Sequence, residues 1–140
     1  MGGEKKDGKP TNSVEKFCSK EGRWMDVVPM VVPRVSASSV VFNNQIIVSG
    51  GAIRNESTDS NEPTDSIEVL NLDQFPLKWV IFAGKLPLPL SGHQTFVYKG
   101  KLIVVGSYDK TEYYPISEVV HSPPCKTIVQ LILHKRQIYC

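Results

Sequence analysis

The run Gln45-Ile46-Ile47-Val48-Ser49 is apolar and β-branched at its centre and stops at the doublet Gly50-Gly51. Its shortness and its glycine stop predict a buried strand rather than a helix. The doublet predicts a backbone that leaves the strand with positive φ, or one that lies close against a neighbour. The run recurs. Residues Phe42 to Gly51 align without a gap on Tyr98-Lys99-Gly100-Lys101-Leu102-Ile103-Val104-Val105-Gly106-Ser107. Ahead of each copy lies a segment that starts small and finishes β-branched, Ser36 to Val41 and Gly92 to Val97. Each pair predicts a β-hairpin, with Asn43-Asn44 and Lys99-Gly100 as its two-residue turn, because Asn and Gly tolerate the positive φ required there.

The remainder of the unit repeats as well. Trp24 and Trp79 are each followed by an apolar pair and then by a proline-bearing link, Pro29 to Pro33 and Leu86 to Pro89. Before each Trp stands a candidate strand, Asn12 to Phe17 and Asp65 to Leu70, and Ile116 to Val120 is a weaker third copy. Gly2-Gly3 precedes its own Ser-Val-Glu strand, as Gly50-Gly51 does. Residues 1–33 therefore read as the second half of a repeat, 34–85 as a complete repeat and 86–120 as a partial third. Residues 121–140 read as an irregular tail. Within the tail, the apolar run Thr127 to Leu133 fits a strand, a one-faced helix or unrelated sequence. The stretch Ala52 to Thr64 is polar and without period, and is expected to be a solvated loop.

Composition narrows the class. The chain has 140 residues, 41% hydrophobic and 21% charged, which is ordinary for a globular protein with a usable core. A net charge of +2 and the lack of a basic cluster with interleaved aromatics give no reason to expect nucleic acid. Cys18, Cys125 and Cys140 are far apart and form no CxxC, so neither a zinc knuckle nor a disulfide framework is implied. The polar N-terminus shows no signal peptide, and no apolar run approaches the ~20 residues of a membrane span. The expectation is a cytoplasmic, intracellular setting without membrane contact.

Short strands recurring every roughly fifty residues, with a glycine doublet, a Ser-x-Glu-Val strand and a late Trp, resemble the kelch repeat of β-propellers. Arg34, Asn44, Ile47, Gly50-Gly51, Ser66-Ile67-Glu68-Val69 and Trp79 carry the resemblance, followed by Gly106 and Glu118-Val119. Gly2-Gly3, Ser13-Val14-Glu15, Phe17, Trp24 and Met30 to Arg34 carry it at the N-terminal end. Departures are Leu90 in the place of Arg34, Ser107 in that of the second glycine, and Leu70 and Leu72 where the family has Tyr and Asp. The resemblance implies an all-β fold, a partial kelch-type propeller of about two to two and a half four-stranded antiparallel blades with an irregular C-terminal tail. Trp24 and Trp79 would sit on the outermost strand and cover the gap between blades. A propeller closes with four to eight blades. A truncated product, part of a longer chain, and several copies completing a ring therefore all stand open, and a start at a doublet inside a blade favours truncation. Open blade edges would also permit self-association.

No catalytic constellation is evident, and no metal or other cofactor is expected. His93, His121 and His134 have no ligand spacing, and the glycine doublet lacks the Lys and helix of a phosphate loop. Galactose oxidase is a copper enzyme of similar architecture, but Tyr98, Tyr108, Tyr113 and Tyr114 are accounted for by strands and loops, and fold alone does not bring the chemistry. The resemblance implies a non-enzymatic module binding a protein or peptide, as in substrate adaptors of ubiquitin ligases or actin and scaffold binders. The alternatives are a fragment of a propeller enzyme or a non-functional product. Hairpin geometry places Arg34, Ser36, Arg54, Asn55, Ser91 and Tyr108 on one rim, the expected contact face. Arg34 has a competing structural role at the blade junction, and Arg54 has no evident one.

Overall fold

A computed structural model describes residues 1–98, 101–106, 119–120 and 128–133, all of the regular elements being strands. Strands β1 (Val14–Cys18) and β2 (Arg23–Val27) form a hairpin of their own. The complete repeat supplies β3 (Ser38–Phe42), β4 (Gln45–Ser49), β5 (Ala52–Asn55), β6 (Ser60–Pro63), β7 (Ile67–Asn71) and β8 (Trp79–Ile81). Of these, β3-β4-β7-β8 make one antiparallel four-stranded blade, and β5-β6 a separate two-stranded hairpin. The last sheet holds β9 (Gln94–Tyr98), β10 (Lys101–Gly106), β11 (Val119–Val120) and β12 (Ile128–Leu133), in the order β11-β12-β10-β9. The architecture is a partial β-propeller: a half blade, a whole blade and a third, irregular one.

Local sequence explains the regular parts. Asn43 and Asn44 take φ of 47° and 55°, the two successive left-handed residues that a tight hairpin turn needs. The corresponding Lys99 and Gly100 lie outside the described residues, but the pairing of Tyr98 with Lys101 keeps the two-residue connection. Both expectations for the glycine doublet hold together. Gly50 and Gly51 have φ of 57° and 87°. A Cβ on Gly50 would stand 2.5 Å from the Leu90 carbonyl oxygen and 2.6 Å from the His93 ring, and one on Gly51 2.7 Å from the Val35 carbonyl oxygen. The chain here turns sharply while pressed against the next link.

One pattern of backbone hydrogen bonds is shared by residues 2–34 and 50–90. The Gly2 and Gly50 amides donate to the Ser13 and Ser66 carbonyls, and those of Gly3 and Gly51 to Arg34 and Leu90. Met30 and Leu86 donate to Asn12 and Asp65, and Arg34 and Leu90 to Thr11 and Thr64. Each repeat is thus stitched to the link that follows it by one backbone pattern, used twice.

Two apolar clusters lie in the gaps between blades. Val14, Met30, Val48, Leu70 and Trp79, with Val27 and Val28 against them, fill the gap between the half blade and the whole blade. Ile47, Ile67, Leu86, Leu90, Leu102 and Val104 fill the next one. Alternation along β7 serves both, Ile67 facing one cluster and Leu70 the other.

Two expectations need correcting. The stretch from Ala52 to Thr64 is not a plain loop: β5 and β6 pair in register from Ala52 opposite Pro63 to Asn55 opposite Ser60. Its polar side chains hold it, Asn55 donating to Glu62 at 2.8 Å and Thr58 to Glu62 at 2.9 Å. In the third sheet the Ser-Glu-Val copy does not take the place of β7. Val119 and Val120 pair with β12, and β12 lies parallel to β10 from Lys101 opposite Ile128 to Gly106 opposite Leu133. A near-continuous apolar run such as Ile128 to Leu133 is the sequence type expected of a strand with a parallel neighbour.

Candidate functional site

The link Met30–Arg34 is held by a fully buried carboxylate. Glu68 sits on β7 with its side chain fully buried, as is that of Arg34. The Glu68 carboxylate accepts the Val31 amide at 2.7 Å, the Val32 amide at 3.0 Å and Arg34 Nη2 at 2.8 Å. Arg34 also donates from Nη1 to the Gly50 carbonyl at 2.5 Å and from Nη2 to Ser66 Oγ at 3.1 Å. One acid therefore fastens the first link to the second blade. The Trp79 indole completes the latch by donating to the Val28 carbonyl at 3.0 Å. Arg34 is closed to solvent and serves the junction, so its guanidinium is not presented to a partner.

The other rim residues divide into two groups. Ser36 and Ser91 are exposed. The Ser36 carbonyl, beside a φ of 54°, accepts the Gly92 amide at 2.9 Å and so joins the starts of two blades. Arg54 and Asn55 stand on β5 and line an open cleft of about 400 Å³ together with Ile53, Glu56, Glu62 and Pro89. Asp59 pairs with Arg54, giving it a partner that the sequence did not reveal. Asn55 Oδ1 accepts the Ser57 amide at 2.9 Å, bracing the hairpin tip. Hydrogen bonds from Asn55 and then Thr58 hold the Glu62 carboxyl below its ordinary 4.5, so the cleft carries a standing negative charge near neutral pH. Lys85 on Asp65 at 3.2 Å closes one end of the acidic strip. Tyr108 lies outside the described residues, as do Ser107, Tyr113, Tyr114, His121, His134, Cys125 and Cys140.

His93 is the side chain whose setting the sequence understated. It is 3% exposed, with Nε2 3.0 Å from Ser49 Oγ, and that hydroxyl lies 3.1 Å from Thr95 Oγ1. Nδ1 has no partner. Burial alone lowers its pKa from the ordinary 6.5, with no charged neighbour contributing. The unfolded chain then binds a proton more readily than the fold, so stability is full above pH 6.5 and declines as pH falls below it. Urea midpoints taken from pH 8 to pH 5 should show that decline, and His93→Gln should flatten it. A wild-type midpoint constant across the range would contradict this setting for His93.

Among the described residues no three His, Cys, Asp or Glu side chains stand together as a metal-ligand set. No helix among them is long and apolar enough to cross a membrane.

Comparison with known proteins follows the same lines. No family model matches the chain. The chain is 26% identical over 105 residues to Kelch repeat and BTB domain-containing protein A55 of Vaccinia virus (strain Western Reserve), covering 75% of this chain and 17% of that protein. It is 25% identical over 105 residues to Kelch repeat and BTB domain-containing protein 1 of Cowpox virus (strain GRI-90 / Grishak). Spermatocyte protein spe-26 of Caenorhabditis elegans is 30% identical over 99 residues, which are 70% of this chain and 16% of that protein. The chain therefore spans about a sixth of the length of these relatives. The solved structure of YjhT is similar in fold, with a TM-score of 0.53 and 22% identity over 63% of this chain and 25% of that one.

Proposed function

From the premise that this chain is a partial kelch-type β-propeller, we propose that it works as a non-enzymatic protein-interaction module. It captures a protein or peptide on the rim beyond Gly51. The observation that carries this reading is the cleft between the β5–β6 hairpin and Pro89, which has apolar walls at Ile53 and Pro63 and an acidic strip at Glu56, Glu62 and Asp65. Such a surface offers apolar anchoring and charge complementarity at once. Ser36 and Ser91 extend the same rim, and Tyr108 is assigned to it by its place in the repeat. The sequence likeness to Kelch repeat and BTB domain-containing proteins supports a protein-interaction module; the proposed work is that of an intracellular substrate adaptor for a ubiquitin ligase or of an actin or scaffold binder.

A photo-crosslinking side chain placed at Glu56, exposed at the cleft mouth, should give a discrete adduct with a partner in cell extract. The same probe at Asp73, exposed on the opposite rim beside Asn44, should give none. Equal labelling from both positions would count against a rim-specific module.

A further inference from the structure

The β5–β6 hairpin has two unlike faces. Its register sets Ile53 opposite Glu62, and cross-strand partners share a face, so an apolar side chain and a carboxylate stand together there. Asn55, two residues on from Ile53, lies on that face too and donates to Glu62 at 2.8 Å. The other face carries Asn61, which donates to the Gly8 carbonyl at 3.2 Å and so lies against the segment 4–10. The cleft of about 400 Å³ is lined by Ile53 and Glu62 on one side and by Pro89 of the following link on the other. Charges around it do not balance. Arg54, at its edge, is paired with Asp59, and Asp65 with Lys85. Glu62 accepts only the neutral donors Asn55 and Thr58, and Glu56 is exposed at the mouth. Among the described residues neither acid stands in an ion pair, and none joins them to Lys5, Lys6 or Lys9 of the segment against the other face.

We propose that this cleft receives a long cationic side chain, arginine or lysine, from an extended segment of the partner. The inference rests on the rim being the interaction surface and names the chemistry that the rim selects. Arginine and lysine have an aliphatic stem to lay along Ile53, Pro63 and Pro89, and a charged head that donates to the Glu62 carboxylate. Glu56 at the mouth adds attraction during approach. An acidic segment meets repulsion from both carboxylates. A purely apolar one covers Glu62 without bringing a counter-charge, which costs desolvation and returns no ion pair. The two carboxylates that lack a cation and the apolar wall beside them thus call for one and the same side chain.

The probe is a library of random short peptides displayed on phage and selected on the whole chain. Selected peptides should carry arginine or lysine next to an apolar residue. Replacing that cation by its neutral analogue, citrulline or norleucine, should weaken binding about tenfold, the loss of a charge-assisted hydrogen bond. Glu62→Gln keeps an acceptor for Asn55 and Thr58. It should weaken the cationic peptide about as much and leave the neutral one unchanged, because both changes remove the same contact. Glu56→Gln, outside the hairpin's own hydrogen bonds, should give a smaller loss, about twofold, that high salt abolishes. It keeps the test decisive should Glu62→Gln disturb the hairpin. Peptides that photo-crosslink to the cleft without an enriched cation overturn the inference and leave the rim as the interaction surface. Cationic peptides indifferent to both variants overturn it, as does a library from which nothing is selected. Failure of the rim itself reads differently, as equal labelling from Glu56 and Asp73.

Discussion

Glu68→Ala is expected to cost about 3–5 kcal/mol of folding stability, the range for removing one partner of a buried ion pair. Three donors converge on that carboxylate, and all lose their acceptor together. The Arg34 guanidinium would remain buried with only carbonyls and a hydroxyl around it, and the Val31 and Val32 amides would lose their acceptor. Against the roughly 5–15 kcal/mol that holds a typical domain together, this approaches global unfolding. Arg34→Leu should be milder, since Leu90 already fills the equivalent place in the following link and the two amides would still satisfy the Glu68 carboxylate. Urea denaturation of the three proteins decides it. A loss below about 1 kcal/mol for Glu68→Ala, the size of an ordinary surface ion pair, would show that the latch does not hold the link.

Trp79→Ala is expected to cost about 3–5 kcal/mol, whereas Trp24→Ala should stay within about 0.5 kcal/mol of wild type. The two residues hold the same place in the repeat, so propensity and strand position cancel in the comparison. What differs is the neighbour. Trp79 is covered by Val14, Met30, Val48 and Leu70 and bonded to the Val28 carbonyl, and its removal leaves a cavity between blades with an unpaired carbonyl in it. Trp24 is largely exposed, its ring in tilted contact with Phe17. Equal costs in thermal denaturation would mean that the blade interface contributes little, contrary to the packing.

The repeat was legible because it rests on local backbone demands: glycines where φ is positive and a Cβ would collide, asparagines in the turn, and an apolar run bounded by both. The blade junction was legible only in part. Arg34 and the Ser66-to-Val69 strand stood out as motif residues, yet nothing in their spacing says that one acid gathers a guanidinium and two amides from a link far away in sequence. The β5–β6 hairpin escaped because its strands bury little and show no alternation, and its register is carried by Asn55, Thr58 and Glu62 instead. For the same reason Arg54 looked unencumbered although Asp59 pairs with it. Ile128 to Leu133 was undecided because a continuous apolar run fits a helix and a parallel strand equally until the neighbour is known. The unequal burial of Trp24 and Trp79 is a property of adjacent blades, which one repeat cannot report.

The rim is proposed as the working surface, and affinity for a partner recovered by crosslinking at Glu56 tests that proposal most directly. Calorimetric titration of that partner into wild type and into Glu56→Lys, a change at the exposed cleft mouth that leaves the hairpin's own hydrogen bonds in place, should show affinity falling at least about tenfold with the thermal midpoint held within a few degrees. Unchanged affinity in the rim variant, with loss confined to changes at Phe17 and Trp24, would contradict the account and move the function to the outer face of the first hairpin.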